Sequence, residues 1–245
     1  MTQHWLVLGA SSAMARAFAR RAAARGAAVT LAGRDLDDLQ ATAADLGARG
    51  APQVRVLSCD VSDPASRAAC VAQAPLAGTT LNVLLAVGLM PDQDAMDADP
   101  ALTQRMIDAT YAGPVALLQD LAPLFEQQRA GRIVVIGSVA GDRGRRKNYL
   151  YGSAKAGLAT YAEGLRARMH ASGVTVTLVK PGFVDTAMTW GLPGLFLVAS
   201  PQQAAVAMMR AAEAGRAEIY CPAFWCLVML VIRHIPSALM KRLRF

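Results

Sequence analysis

The sequence is poor in cysteine, histidine and aromatic residues, and it lacks an apolar run long enough to cross a membrane. The four cysteines have no metal-ligand spacing, which argues against a metal site and favours reduced thiols in the cytosol. The apolar run near the C-terminus, 223–232, is shorter than the ~20 residues of a membrane-spanning helix. A strand pattern begins within a few residues of Met1, which leaves no room for a signal peptide. We therefore expect a cytoplasmic protein.

The 245 residues are 54% hydrophobic and carry a net charge of +7. This length is sufficient for one α/β domain with a full core. Positive charge raises the question of nucleic acid or an anionic membrane surface as a partner. The basic residues are scattered, except in two clusters at 143–147 and 233–244, and no nucleic-acid motif or stacking platform is present. The charge therefore does not predict nucleic-acid binding.

Short apolar runs alternate with helical patterns along the whole chain. Runs such as WLVLG, LNVLLAVG and RIVVIGS are nearly continuous in apolar residues, as in parallel strands that are covered on both faces. The pattern predicts an α/β protein with a single doubly wound parallel sheet, a Rossmann fold, over 1–220. An apolar and basic helical tail of the same domain follows over 221–245. Because such sheets bind ligands beyond the carboxyl ends of their strands, functional residues are expected directly after the strands.

Three segments after strands suggest a dinucleotide. The stretch GASSAMA, 9–15, joins the first strand to a helix N-terminus, where free N–H groups can bind an anion, or it is an ordinary turn capped by a serine. After the second strand, Gly33 takes the place of the acidic residue expected for NAD(H), and the Arg34 guanidinium can bind a 2′-phosphate. This favours NADP(H) over NAD(H), unless Arg34 is only a solvated loop residue. Asp60 follows the third strand and is either an adenine ligand or a helix cap.

Ser138 follows the fifth strand, and Tyr151 and Lys155 lie one helical turn apart on the next predicted helix. An ammonium near a phenol favours the phenolate and would lower the tyrosine pKa from ~10 towards neutrality. A serine hydroxyl can orient a substrate oxygen. Together the three side chains predict hydride transfer, in which a nicotinamide carries the hydride and the protein moves the proton.

On these motifs the chain resembles the short-chain dehydrogenase/reductase family over nearly its whole length. GSVAG, YGSAK and KPGFVDTAM match the family's active-site serine, Tyr–Lys pair and post-strand PG motif. The resemblance implies that Ser138, Tyr151 and Lys155 are catalytic. It also implies a set of cofactor-binding residues, which are Gly9, Ser11, Ser12, Ala13, Met14, Arg34, Asp60, Val61, Gly88, Tyr151, Lys155, Pro181, Gly182, Val184 and Thr186.

The chain departs from the family pattern in three places. Ala13 and Ala15 replace two later glycines of the family's fingerprint and add methyl groups where the backbone or the cofactor packs closely. LAVG, 85–88, replaces the family's NNAG. Thr110 replaces the asparagine of the family's catalytic tetrad, and its hydroxyl is expected to hold a water at the far end of the proton relay.

A narrower resemblance links AGDRGRRKNYLYGSAKAGL and the C-terminal tail to decaprenylphosphoryl-2-keto-ribose reductases. It implies reduction of a polyprenyl-phosphate keto-pentose, the second step of a ribose-to-arabinose epimerisation, with a flavin-dependent oxidase as partner. A phosphodiester would then meet the basic residues before the catalytic helix. These are Arg143, Arg145, Arg146 and Lys147. The alternative is a solvent-exposed basic loop.

Two apolar segments complete the expectation. In this fold the loop after the PG motif covers the substrate, so Trp190, Leu192, Leu195 and Phe196 are expected to line an apolar pocket, or to form only lid and core. The tail over 221–245 suits a peripheral contact with the inner face of the cell membrane. Its alternatives are a homodimer or homotetramer interface, or a roof over the pocket.

The sequence therefore predicts an NADPH-dependent ketoreductase. Two alternatives to the prenyl-phosphate substrate stay open: reduction of another apolar carbonyl compound, and a non-catalytic cofactor-binding partner of a membrane enzyme. The intact Ser–Tyr–Lys set argues against the latter.

Overall fold

The computed structural model describes residues 2–191 and 196–243. Within these ranges, seven strands form one parallel sheet in the order β3-β2-β1-β4-β5-β6-β7. The strands are β1 (Thr2–Leu8), β2 (Ala28–Gly33), β3 (Val54–Ser58), β4 (Thr79–Leu85), β5 (Arg132–Ile136), β6 (Thr175–Pro181) and β7 (Glu218–Cys221). The predicted doubly wound Rossmann fold is confirmed.

Helices connect the strands and cover both faces of the sheet. They are α1 (Ala13–Ala23), α2 (Leu36–Ala48), α3 (Pro64–Gln73), α4 (Gln93–Ala98), α5 (Pro100–Ile107), α6 (Gly113–Gln128), α7 (Tyr149–His170), α8 (Pro201–Glu213), α9 (Trp225–His234) and α10 (Ser237–Met240). The side chains of Ser12, Asp35 and Ser200 are N-caps, and each accepts a hydrogen bond from a backbone N–H in the first turn of α1, α2 and α8, respectively. None of the helices in the described ranges is long and apolar enough to span a membrane.

The core consists of two layers, one on each face of the sheet. Successive residues of β1 alternate between them: Trp5 and Val7 pack with α1, α2 and α8, whereas Leu6 and Leu8 pack with α3, α6 and α7. Side chains of a strand point alternately to opposite faces. Because both faces are covered, β1 is apolar at every one of these positions, as its sequence predicts.

The long helical stretch from Pro100 to Gln128 is interrupted. A π-helical turn, Asp108–Ala112, separates α5 from α6, and the short helix α4 precedes them. Such turns often mark functional positions. Here the turn brings Gly113 against the backbone of Val61, so closely that a side chain would not fit, and it buries Thr110 beside the end of β4.

The order of the strands reverses between β1 and β4. Connections from β1 and β4 therefore run to opposite sides, and a crevice opens beyond their carboxyl ends. The segments after β1, β2, β4, β5 and β6 all face this crevice.

Candidate active site

A cavity of about 1690 Å³ occupies the crevice. This exceeds the roughly 300–1,000 Å³ of common ligand pockets, so it has room for a dinucleotide and a second molecule. Most of the sequence-predicted site residues line it. They are Gly9, Ser11, Ser12, Ala13, Met14, Arg34, Asp60, Val61, Gly88, Ser138, Arg145, Arg146, Lys147, Tyr151, Lys155, Pro181, Gly182, Val184, Thr186 and Phe196.

Ser138, Tyr151 and Lys155 all line the cavity. Ser138 caps a 3-10 turn, Val139–Asp142, and its Oγ accepts a hydrogen bond from Ala140 N at 3.0 Å. Tyr151 lies in the first turn of α7, and Lys155 follows one turn later with Nζ 5.8 Å from the tyrosine ring centroid. Lys155 Nζ donates to the carbonyl of Ile136, at the end of β5, at 2.9 Å. Helix α7 thus directs the Tyr151 phenol and the Lys155 ammonium towards the end of β5.

The expected lowering of the tyrosine pKa is wrong for this structure. Burial raises the pKa of Tyr151 to about 12, opposed by a hydrogen bond with Ser138. Burial also lowers the pKa of Lys155 to about 8, because the charged form loses its hydration. Both shifts come from the same apolar packing, which the sequence spacing does not reveal. At neutral pH the phenol therefore keeps its proton and can act as an acid.

The expected role of Thr110 is also wrong for this geometry. Its Oγ1 donates to Leu89 O at 3.1 Å and accepts from Leu89 N at 2.9 Å, so its single proton is used by the backbone. A Cβ built at Gly88 would lie 3.8 Å from the Thr110 methyl and 3.4 Å from Lys155 Nζ. The methyl thus faces Gly88, on the side where Lys155 lies. Thr110 holds the 88–89 segment in place, and it does not line the cavity.

The segment after β1 is shaped for close approach of a ligand. Gly9 has a φ of +72°, and a Cβ there would lie 2.6 Å from Ala86 O, so only glycine suits this turn. The N-terminus of α1 then faces the cavity. Ala15, one of the two departures from the glycine fingerprint, is fully buried in the core, and Ala13 lines the cavity. The fold therefore accommodates both methyl groups, and the turn fits a pyrophosphate at the helix N-terminus.

Arg34 and Arg16 line the cavity beside the end of β2. Arg34 is exposed, lines the cavity and follows Gly33 directly. Arg16 also lines the cavity, but its guanidinium binds Asp38 at 2.5 and 2.6 Å. Asp60 accepts from Ser62 N at 2.9 Å, while Asp63, and not Asp60, caps α3. Arg34 is thus better placed than Arg16 to bind a 2′-phosphate, and the residues present fit NADP(H).

The basic loop divides into two parts. Arg145, Arg146 and Lys147 line the cavity. Burial lowers the pKa of the Arg145 guanidinium, against the charge of Asp142, and its Nε is buried with no hydrogen-bond partner in the described part of the chain. Arg143 does not line the cavity; its guanidinium donates to Ile235 O at 3.0 Å. The prediction that Arg143 binds substrate is therefore wrong, because this arginine fastens the loop to the tail.

Of the residues predicted to form an apolar cover, the structure places Phe196 at the cavity and Trp190 away from it. Phe196 lines the cavity and forms a triangle of rings with Phe183 and Trp225, with centroids 5.2–5.6 Å apart. Trp190 is 87% exposed and does not line the cavity, so its predicted place in the pocket is wrong. Leu192 and Leu195 lie outside the described residues.

The sequence leaves open whether the tail roofs the pocket, and it singles out no tail residue for the cavity wall. Trp225, Val228 and Ile232 of α9 line it, and the Trp225 indole packs directly on Gly182 of the PG motif. These residues follow the i, i+3, i+7 spacing of one helix face. That spacing could have indicated which residues face the cavity. However, the other positions of α9 up to Ile232 are also apolar, so the sequence does not distinguish the inward face from the outward one.

Comparison with known proteins agrees with the site. The family model described as "short chain dehydrogenase" matches residues 3–193. An uncharacterized oxidoreductase of Mycobacterium tuberculosis is 36% identical over 241 residues, which cover 97% of this chain and 96% of that protein. An uncharacterized oxidoreductase of Streptomyces coelicolor is also 36% identical, with 97% and 94% covered.

A solved structure, a short-chain dehydrogenase from Sphingobium yanoikuyae in complex with NADPH, superposes with a TM-score of 0.81. It is 26% identical and covers 96% of this chain and 97% of its own. With fold, Ser–Tyr–Lys geometry and full-length relatives in agreement, this chain belongs to the short-chain dehydrogenase family of oxidoreductases.

Proposed function

We propose that this protein uses NADPH to reduce a ketone on a substrate that carries both an anionic group and an apolar chain. One observation supports this most strongly: the cations of the basic loop and the aromatic wall of α9 line the same cavity as Ser138, Tyr151 and Lys155. A polyprenyl-phosphate keto-pentose has both chemical features. In this proposal an oxidase, such as a flavin-dependent enzyme, supplies the keto sugar.

The buried side chains favour reduction. NADPH, when bound, supplies the hydride to the carbonyl carbon. Tyr151, whose pKa is about 12, is protonated at neutral pH and donates its proton to the carbonyl oxygen. The Ser138 hydroxyl hydrogen-bonds this oxygen and orients it. The Lys155 ammonium stabilises the phenolate that remains, and the dry surroundings strengthen this interaction.

Several groups of this chain would hold the cofactor. The turn at Gly9 and the N-terminus of α1 would bind the pyrophosphate, Arg34 the 2′-phosphate and Asp60 the adenine. Pro181, Gly182, Val184 and Thr186 line the cavity near the catalytic residues and would contact the nicotinamide side. The absence of a carboxylate at Gly33 favours NADPH over NADH.

The outer face of the tail supports a peripheral membrane contact. Leu227, Leu230 and Val231 of α9 are exposed at i, i+3, i+4 spacing, opposite the face that lines the cavity. Arg233 and Lys241 flank them. An apolar stripe with cationic neighbours suits the surface of an anionic bilayer. A substrate with a prenyl chain could then reach the cavity along α9.

The test of the substrate proposal is NADPH oxidation with a prenyl-phosphoryl keto-ribose and, in parallel, with a small neutral ketone. Arg145→Ala combined with Arg146→Ala should raise the KM for the phosphate substrate about tenfold or more, as expected for lost charge-assisted hydrogen bonds, and should spare the neutral ketone. Arg210→Ala with Arg216→Ala, an equal charge change outside the cavity, is the matched control. An unchanged KM would leave reduction of another apolar carbonyl compound as the function.

Catalysis is tested separately. Tyr151→Phe should reduce turnover of either ketone about 10²–10⁴-fold while NADPH still binds, because only the proton donor is lost. The matched control is Tyr149→Phe, whose hydroxyl donates to Asp97 at 2.6 Å and does not line the cavity. Equal loss in both variants would contradict the assignment, and no turnover in the wild-type protein would favour a non-catalytic cofactor-binding partner.

A further inference from the structure

The turn that carries Ser138 ends in a buried ion cluster. Asp142 is its last residue, and its side chain is 4% exposed. Asp142 Oδ1 lies 2.9 Å from Lys180 Nζ, and Oδ2 accepts a hydrogen bond from the Tyr220 hydroxyl at 2.6 Å. Lys180 also pairs with Glu218 Oε2 at 2.9 Å. One carboxylate thus joins the turn after β5 to β6 and β7.

The same turn is in direct backbone contact with the catalytic helix. A Cβ built at Gly141 would lie 2.8 Å from Ala156 N, and one at Gly152 would lie 2.7 Å from Ala140 O. No side chain separates turn and helix at these two glycines. Because Ser138 Oγ is bonded to Ala140 N within the turn, the position of the turn along α7 determines where the serine hydroxyl lies relative to Tyr151.

The other members of the cluster adjoin the remaining walls of the cavity. Lys180 directly precedes Pro181 and Gly182, and Tyr220 lies at the end of β7 shortly before α9. On the other side of Asp142, Arg143 binds the tail carbonyl of Ile235. The buried carboxylate of Asp142 therefore links three parts of the cavity wall: the turn Val139–Asp142 that follows Ser138 (the serine turn), the Pro181–Gly182 motif and the C-terminal tail.

We infer that Asp142 is a positioning residue for the reaction: anchored by Lys180 and Tyr220, it fixes the turn against α7 so that Ser138 meets the substrate oxygen beside Tyr151. This inference rests on the proposed function, since it assumes a carbonyl oxygen between Ser138 and Tyr151. A catalytic group that is displaced by even ~1 Å can lose a large part of its effect.

Asp142→Asn and Glu218→Gln form a matched pair, since each removes one carboxylate charge from the same lysine. Only Asp142 is attached to the serine turn. We expect Asp142→Asn to lower kcat about tenfold or more, with little change in the Kd for NADPH, and Glu218→Gln to stay within about twofold of wild type. Tyr220→Phe keeps the ion pair and loses one hydrogen bond to Asp142, so it should lower kcat by less than Asp142→Asn. It replaces Asp142→Asn as the test variant if the latter does not fold.

A double-mutant cycle shows whether Asp142 acts through Ser138. If it does, adding Asp142→Asn to Ser138→Ala should cost little further activity, because the hydroxyl to be positioned is already absent. Independent, fully additive losses would overturn the inference, as would equal losses in Asp142→Asn and Glu218→Gln.

A readout without turnover separates this inference from the proposed function. Amide hydrogen exchange of Ala140 and Gly141, which donate to Ser138 Oγ and Ser138 O, should be faster in Asp142→Asn and unchanged in Glu218→Gln. Unchanged exchange in Asp142→Asn would overturn the anchoring role even in an active enzyme. Faster exchange in a protein that reduces no ketone would instead contradict the proposed function.

Discussion

Two lysines are buried in the described part of the chain, and they differ in whether carboxylates surround the buried charge. Lys180 lies between the carboxylates of Asp142 and Glu218. Lys155, within the described residues, has no carboxylate partner and donates to the carbonyl of Ile136. Burial lowers the pKa of Lys155 to about 8. Burial acts in the same direction on Lys180, but its hydrogen bonds and charge attraction to the two carboxylates outweigh it and raise the pKa.

The presence or absence of carboxylate partners distinguishes a lysine with a structural role, Lys180, from one with a proposed functional role, Lys155. A buried cation that is matched by carboxylates holds segments together, as Lys180 does for β6, β7 and the serine turn. A buried cation without such a match destabilises the fold and is retained for another reason, which in the proposed function is the support of a phenolate at Tyr151. Substitutions of the two lysines should therefore have opposite effects on stability.

The largest effect is expected at Lys155. Lys155→Met keeps most of the side-chain volume and removes the charge, so turnover should fall about 10²–10⁴-fold, in the range of a lost acid–base group. The folded protein should nevertheless melt at a higher temperature at pH 7, because the uncompensated ammonium is gone. Steady-state kinetics and thermal melts check this, and a lower melting temperature would break the comparison.

Substitution of Lys180 should instead destabilise the folded protein. Lys180→Met leaves the buried carboxylate of Asp142 without its partner and should lower the free energy of unfolding by about 3–5 kcal/mol. Arg105→Met is the control, since Arg105 and its partner Asp99 are exposed and such pairs contribute about 0–1 kcal/mol. Urea denaturation measures both, and similar losses would mean that the cluster is no stronger than a surface pair.

The pH dependence of stability sharpens the comparison. The pKa of Lys155 is about 8 in the folded protein, against 10.5 for an unperturbed lysine side chain. Between these values the unfolded chain binds a proton that the folded chain has released, so the free energy of unfolding rises with pH. The cost of the buried charge is fully present below pH 8 and is relieved towards pH 10.5, by about 3 kcal/mol at about 1.4 kcal/mol per pH unit.

Other groups also titrate in this range, so the measured quantity is the difference between wild type and Lys155→Met. Urea denaturation at pH 7, 8, 9 and 10 should show the stability advantage of the variant shrinking as the pH rises. A constant difference would mean that Lys155 titrates normally.

The smallest effect is expected at an exposed cation. Arg34 is exposed and lines the cavity directly after β2. Arg34→Ala should reduce the preference for NADPH over NADH by about 1.5–3 kcal/mol, the contribution of a charge-assisted hydrogen bond. Calorimetric titration of wild type and variant with both cofactors measures the gap. Equal affinities in the wild type would contradict the 2′-phosphate assignment.

Local sequence patterns were sufficient to predict the fold of this protein and the position of its site. Near-continuous apolar strands that alternate with amphipathic helices predict a covered parallel sheet, because the period of hydrophobicity reflects which faces are buried. Ser138, Tyr151 and Lys155 were recognisable because a strand end and one helical turn lie within 18 residues of sequence. The positions of Gly9 and Arg34 followed from the same rule about strand ends.

The predictions that proved wrong depend on long-range packing. The charge of Arg143 is visible in the sequence and predicts a substrate ligand, whereas its partner, the carbonyl of Ile235, is 92 residues away. The position of Thr110 in the family motif predicts a water ligand, but the backbone of Leu89 uses its hydroxyl. For Trp225 the sequence leaves open whether the tail roofs the pocket, because an apolar tail does not indicate which face turns inward.

The sequence by itself therefore determined the sheet, the place of the site and the residue types that carry its chemistry, since these depend on local periodicity and short spacings. Only the tertiary structure decided the charge states of Tyr151 and Lys155, because a pKa depends on how completely distant segments exclude water. It likewise decided that Asp142, Lys180, Glu218 and Tyr220 form one cluster, since the turn after β5 must pack against β6 and β7 before these four side chains can meet.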